Sequence, residues 1–101
     1  MRFRRLLEEN RPADVERETA GLLRDLPEHR DLLYLHAVAL RRQMKIPEAL
    51  AALDAFEAIH PSYPRLYQER GHCHVAQRNA PEAIQAFSRA VEMNPALPAS
   101  W

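Results

Sequence analysis

Three consecutive side chains that could bind a metal or act as a nucleophile, His72-Cys73-His74, suggest chemistry most directly in this sequence. A zinc site needs about four converging ligands, and a cysteine nucleophile needs a histidine within hydrogen-bond reach. On a helix, His72 and His74 point about 200° apart and Cys73 diverges from both. The two glycines, Gly21 and Gly71, stand alone, so no glycine-rich phosphate loop is present. We therefore predict no catalytic residue, no cofactor and no metal, and a protein that is not an enzyme.

The composition is that of a small, helix-rich globular domain. The 101 residues are 47% hydrophobic, and 14 basic side chains balance 14 acidic ones. A neutral chain lacks the basic excess that nucleic-acid binding needs, and no apolar run approaches the ~20 residues of a membrane span. The single cysteine fits a reducing compartment, and "MRFRRLLEEN" lacks the apolar middle of a signal peptide. We expect a cytoplasmic protein that binds neither nucleic acid nor membrane.

The elements that must position these side chains come from an internal repeat. Pro27, Pro61 and Pro95 are spaced by 61 − 27 = 95 − 61 = 34 residues, and Pro47 and Pro81 share the interval. A fixed period of this length indicates stacked structural units. Proline suits the first turn of a helix and also stops one just beyond its end. The same helix is therefore written twice, as "KIPEALAALDAFEAIHP" and "NAPEAIQAFSRAVEMNP".

Each unit holds two helical patterns, and its key residues resemble the tetratricopeptide repeat (TPR) family. From Pro64 the matching positions are Tyr67, Gly71, His74, Ala83, Phe87, Ala90 and Pro95. From Arg30 they are Leu33, Ala37, Leu40, Ala49, Leu53, Phe56 and Pro61. His74, Phe56 and Arg70 depart from the family's usual residue types. The resemblance implies an all-α, right-handed solenoid of antiparallel helix pairs, with small residues where helices approach closely and large ones between layers.

The repeat frame divides a single TPR domain over residues 1–101 into four parts. Residues 1–29 form a degenerate repeat, 30–63 and 64–97 form two full repeats, and 98–101 begin a further, truncated one. Trp101 falls where the family carries an aromatic residue. We therefore expect a fragment of a longer protein, the alternative being a frayed tail that happens to end in tryptophan.

The resemblance also implies a concave groove, lined by the first helix of each repeat, that binds a protein or peptide. The positions that face this groove are Arg4, Tyr34, Val38, Arg41, Arg42, Arg65, Gln68 and His72. Four arginines against the single Asp31 predict an acidic partner, although each arginine could equally be solvated surface charge. The family branch that clamps chaperone C-termini is disfavoured, because only Arg65 matches its basic and amide positions.

Two further alternatives stay open. The stretch "RLYQERGHCHVAQRNAPEAIQAFSRAVEMNPALPASW" resembles the N-terminal TPR array of bacterial TPR-containing sulfotransferases, which would make the chain a non-catalytic accessory domain of an enzyme that uses PAPS. No loop for that donor is present in the chain. In addition, apolar residues around Ile84, Val91 and Leu97 predict a homodimer through the C-terminal face.

Overall fold

The computed structural model describes residues 11–95, which form five α-helices and no strand. The helices are α1 (Pro12–Asp25), α2 (Arg30–Arg42), α3 (Ile46–Ile59), α4 (Pro64–Ala76) and α5 (Ala80–Met93). Each helix packs against the next one along the chain, and α2 also contacts α4. The predicted all-α helical repeat is confirmed.

Proline sets the start of four of the five helices. Pro12, Pro47, Pro64 and Pro81 all lie within the first two positions of a helix, where the N–H that proline lacks would have no partner inside the helix. The start of α2 is capped differently, because Nδ1 of His29 accepts a hydrogen bond from the backbone N–H of Leu32 at 3.4 Å. The prediction that Pro47 and Pro81 begin the second helix of each repeat is confirmed.

The turn after the first helix of each repeat has the same geometry twice. Met44 and Arg78 both adopt positive φ, at 62° and 58°, and they are 78 − 44 = 34 residues apart. The following N–H groups, of Lys45 and Asn79, bond to carbonyls five residues earlier, at 3.0 and 2.8 Å. This is a Schellman motif, which satisfies the last carbonyls of the helix. The repeat therefore extends from side-chain types to the backbone of the turns.

The core shows why small and large residues alternate. Phe87 of α5 lies directly over Gly71 of α4, so that a Cβ atom at Gly71 would be only 2.6 Å from ring atom Cδ1. In the main core cluster, Leu53 and Phe56 of α3 are fully buried, and Ala37 and Ala49 are buried beside them. Phe56, where the family has a small residue, thus fills the space between layers. The predicted close approach of helices at Gly71 is confirmed.

A second, smaller core cluster joins α1 to α2. Its apolar members Val15, Leu32, Val38 and Ala39 are buried. Thr19 is buried with them, and its hydroxyl lies 2.7 Å from the carbonyl oxygen of Val15 and 2.8 Å from Nδ1 of His36. The hydroxyl is therefore satisfied inside the structure, as a buried polar group must be.

Some predictions fall outside residues 11–95. The structure does not describe residues 1–10, which include Arg4 and begin the degenerate repeat. It also does not describe Leu97 or the truncated repeat at 98–101. Within 11–95, none of the helices is both long enough and apolar enough to cross a membrane.

Candidate functional site

The predicted groove residues come from α2 and α4, the first helices of the two full repeats, which contact each other. An ion pair joins the two helices. Nε of Arg41 donates to Oε2 of Glu69 at 2.5 Å, and Nη2 donates to Oε1 at 3.3 Å. The Glu69 side chain is 7% exposed and that of Arg41 is 23% exposed, so the ion pair is largely shielded from solvent between the two helices. These two hydrogen bonds hold the Arg41 side chain against α4.

The carboxylate of Glu69 neutralises the positive charge of the Arg41 guanidinium. Burial works to lower the pKa of the guanidinium, but the hydrogen bond and negative charge of Glu69 outweigh it and hold the pKa above its ordinary value. A charge-assisted bond with two contacts is among the stronger polar interactions in proteins. An approaching acidic ligand would have to compete with a carboxylate that is already in place. Arg41 is therefore a weak ligand anchor.

Tyr34 and Arg65 lie together near the N-terminal ends of the two helices. Burial of Tyr34 raises the pKa of its phenol, the negative charge of Glu69 adds to this, and a hydrogen bond with Arg65 opposes both. The Tyr34 ring also meets Tyr63 edge to face, with centroids 5.8 Å apart. Tyr34 is thus a neutral, fixed aromatic surface beside the exposed guanidinium of Arg65.

His72 is a neutral, partly buried member of the same face. Its ring packs edge to face against Phe87, with centroids 5.3 Å apart. Burial lowers the pKa of His72; the charge of Glu69 works against this and the charge of Arg41 adds to it. Because the pKa lies below its ordinary 6.5, the imidazole is uncharged at neutral pH and adds no positive charge to the surface.

The remaining predicted groove residues differ in accessibility. Arg42 is exposed and Gln68 is half-buried. Val38 is only 5% exposed, because it packs with Val15 in the cluster between α1 and α2. Val38 therefore offers little surface to a ligand.

The His-Cys-His segment does not converge. Cys73 is fully buried, and burial first, then the charge of Glu69, raise the pKa of its thiol to about 11. A thiol with this pKa is almost wholly protonated at neutral pH and is a poor nucleophile. His74 is turned instead toward Gln77, 3.2 Å from Nδ1 to Oε1. Among residues 11–95, no three histidine, cysteine or acidic side chains are grouped to hold a metal. The expected lack of a cofactor stays a prediction.

Two ionic contacts between repeats were not predicted. Glu69 follows a groove position directly but is absent from the set of family positions that face the groove. Arg70, which departs from the apolar family pattern, reaches back to α3, where its Nη2 lies 2.8 Å from Asp54 and 2.5 Å from Glu57. Its Nε is buried without a hydrogen-bond partner among the described residues. Both contacts could have been found by stacking the two predicted repeats on each other. In that arrangement α4 lies beside α3, which carries the acidic partners of Arg70, and beside α2, which carries Arg41.

Comparison with known protein families identifies the class of protein. The tetratricopeptide repeat family matches residues 1–64 and again residues 34–98, so the two overlapping matches together span nearly the whole chain. The matches end 98 − 64 = 34 residues apart, which is the period of the prolines. The chain therefore belongs to the tetratricopeptide repeat family.

The family gives a coarse function, since its repeats generally mediate interactions between proteins and are typically non-catalytic. No curated protein matches the chain. The resemblance to TPR-containing sulfotransferases finds no support in the comparisons and stays a prediction.

Proposed function

We propose that this protein binds a peptide segment of a partner protein along the surface formed by α2 and α4. The observation that supports the proposal is that these two helices contact each other, with Arg41 of α2 paired to Glu69 of α4 and Tyr34 of α2 beside Arg65 of α4. The contributing residues among those described are Tyr34, Arg41, Arg42, Arg65, Gln68 and His72. Aromatic and arginine side chains are the residue types that most often dominate binding energy at protein interfaces.

The proposed partner segment is weakly acidic rather than strongly so. The sequence predicts four arginines against one aspartate, but Glu69 neutralises Arg41 and Arg4 lies outside the described residues. The exposed Arg65 therefore supplies positive charge to the surface. Contacts between exposed charges contribute about 0.2–1 kcal/mol each and weaken with salt. We expect an affinity in the range of about 1 μM or weaker, decreasing as the ionic strength rises.

A peptide selection tests this proposal. A library of random peptides is selected against the wild-type protein, and an enriched peptide is measured by fluorescence anisotropy. We expect Arg65→Glu to weaken binding several-fold. Arg78→Glu serves as the matched control, because Arg78 is exposed in the turn after α4, at the opposite end of that helix from Arg65. Equal affinities of the wild type and Arg65→Glu would refute the proposed groove, as would the enrichment of no peptide.

We also propose self-association through the outer face of α5. Its support is Ile84, a large apolar side chain that is 59% exposed, with the partly buried Val91 seven residues later on the same side of the helix. Sedimentation velocity at rising concentration tests this proposal. We expect a dimer that Ile84→Gln weakens and that Glu92→Gln leaves unchanged. A monomer at all accessible concentrations would contradict it.

A further inference from the structure

A shallow pocket adjoins the groove surface near the start of α2 and the start of α4. Its volume is about 320 Å³, which is enough for one side chain of a bound peptide. The residues that line it are Arg30, Ile59, His60, Pro61, Ser62 and Tyr63. It thus combines one guanidinium with apolar and aromatic walls, and none of these residues belongs to the predicted groove.

Tyr63 connects this pocket to the groove. One side of its ring meets Tyr34, with centroids 5.8 Å apart and ring planes at 78°. The guanidinium carbon of Arg30 lies 4.9 Å from the centroid of the same Tyr63 ring. Arg65 also hydrogen-bonds to Tyr34. Two tyrosines flanked by two arginines therefore form a continuous surface from the groove into the pocket.

Two side chains that line the pocket, Tyr63 and His60, pack on the buried core. Tyr63 packs on the fully buried Phe56, with centroids 5.4 Å apart. His60 packs edge to face on Phe56, and its Nε2 lies 2.7 Å from the carbonyl oxygen of Glu28. Side chains that are fixed before binding lose little conformational entropy when a ligand arrives. The pocket is thus a prepared surface rather than a chance gap between mobile side chains.

The chemistry of Arg30 favours a carboxylate. A guanidinium that stacks on an aromatic ring keeps its N–H edges available for two parallel hydrogen bonds to an acidic group. The nearest acid, Asp31, lies 3.6 Å from Nε of Arg30, and both side chains are at least half exposed. Exposed ion pairs of this length contribute little. A ligand carboxylate can therefore replace Asp31 far more easily than it can replace Glu69 on Arg41.

We propose that this pocket anchors an acidic group of the peptide that lies in the groove. Arg30 binds the carboxylate, while Ile59 and the Tyr63 ring pack against the apolar stem of the same side chain. This proposal rests on the proposed function, and it assigns the acidic residue of the partner to the Arg30 end of the groove instead of the Arg41 end. The carboxylate belongs either to an aspartate or glutamate side chain or to a C-terminus.

A double-mutant cycle on the peptide selected in the binding experiment tests this assignment. Each acidic residue of that peptide is changed to its amide in turn, and each peptide is measured against the wild type, Arg30→Gln and Arg78→Gln. We expect Arg30→Gln to weaken binding about two- to five-fold, and to have no effect on the one peptide whose critical carboxylate has been removed. An amidated C-terminus with the same affinity assigns the effect to a side chain, and a weakened one assigns it to the C-terminus.

The outcomes separate this inference from the function on which it rests. If a peptide binds and Arg65→Glu weakens it, but Arg30→Gln does not, the groove stands and the anchoring pocket is wrong. If Arg30→Gln weakens every amide variant of the peptide equally, including the variant with an amidated C-terminus, Arg30 provides only general attraction, and the assigned contact is also wrong. If Arg78→Gln weakens binding as much as Arg30→Gln, the same conclusion follows. If no peptide is selected, both proposals fail.

Discussion

Replacing the two glycines by alanine provides a sharp test of the packing, because the structure predicts opposite effects from the same substitution. Both glycines lie inside helices, where alanine is favoured over glycine by about 1 kcal/mol. At Gly21 of α1 an added methyl group meets nothing within 4 Å. At Gly71 of α4 it meets three ring atoms of Phe87, among them Cδ1 at 2.6 Å and Cζ at 2.7 Å, far inside the ~3.5–4.0 Å optimum between carbon atoms.

The expected magnitudes follow from these distances. Phe87 is 2% exposed, so its ring has little room to move, and overpacking of this kind costs about 1–3 kcal/mol. We take the upper end of that range for Gly71→Ala, since three atoms clash. Subtracting the gain in helix propensity leaves a destabilisation of about 2 kcal/mol. Gly21→Ala instead stabilises the fold by up to about 1 kcal/mol.

Urea unfolding followed by circular dichroism measures both changes, and thermal melting should show Tm shifts of opposite sign, at about 4–8 °C per kcal/mol. A third variant, Gly71→Ala combined with Phe87→Leu, tests the cause. The smaller leucine makes room for the methyl group, so the double variant should lose less stability than the sum of the two single changes. A Gly71→Ala protein as stable as Gly21→Ala, or strictly additive changes, would refute the close packing of α5 on α4.

Three further outcomes are expected. Leu53→Ala removes a fully buried side chain and should lower the free energy of unfolding by about 2–5 kcal/mol, whereas Glu92→Ala on the exposed side of α5 should change it by less than about 0.5 kcal/mol, both measured by urea unfolding. Glu69→Gln leaves the Arg41 charge without its carboxylate and should cost about 1.5–3 kcal/mol; a loss no larger than that of Glu92→Ala would contradict the buried pair. Burial lowers the pKa of His36 below 6.5, so as the pH falls the histidine is protonated in the unfolded state before it is protonated in the folded state. The free energy of unfolding should therefore decrease as the pH falls from 6.5. His36→Gln should show a smaller decrease, and an unchanged pH dependence would contradict this assignment.

The regular features of the fold were predictable because the sequence repeats them. Prolines at a 34-residue interval mark the first turns and the ends of helices, and the structure places Pro47 and Pro81 where that reasoning requires. The left-handed turns at Met44 and Arg78 were not predicted, because neither position carries the glycine that usually marks such a turn. At these two positions the left-handed conformation is set by the turn that joins the two helices of a repeat, and not by the type of residue.

The charges of the site were predictable only in part, since ionic contacts between repeats join residues that are distant in sequence. Reading positions one helix at a time brought Arg41 and His72 to the same face, yet it missed Glu69, which lies 28 residues from Arg41. The same limit applies to Arg70, whose acidic partners lie on α3. The same limit applies to Val38, because its burial with Val15 of the neighbouring α1 could not be read from the repeat frame, which assigns its position to the groove.

The central claim, that α2 and α4 form the binding surface, is tested most directly by nuclear magnetic resonance with a peptide selected on the wild-type protein. The backbone amide shifts of a ¹⁵N-labelled sample are followed as the peptide is added. The account predicts that the largest changes fall on α2 and α4, around Tyr34, Arg65, Gln68 and His72, and on Arg30 and Tyr63 at the pocket. Changes concentrated instead on the exposed side of α3 and α5, around Ile84, with those residues unmoved, would contradict it.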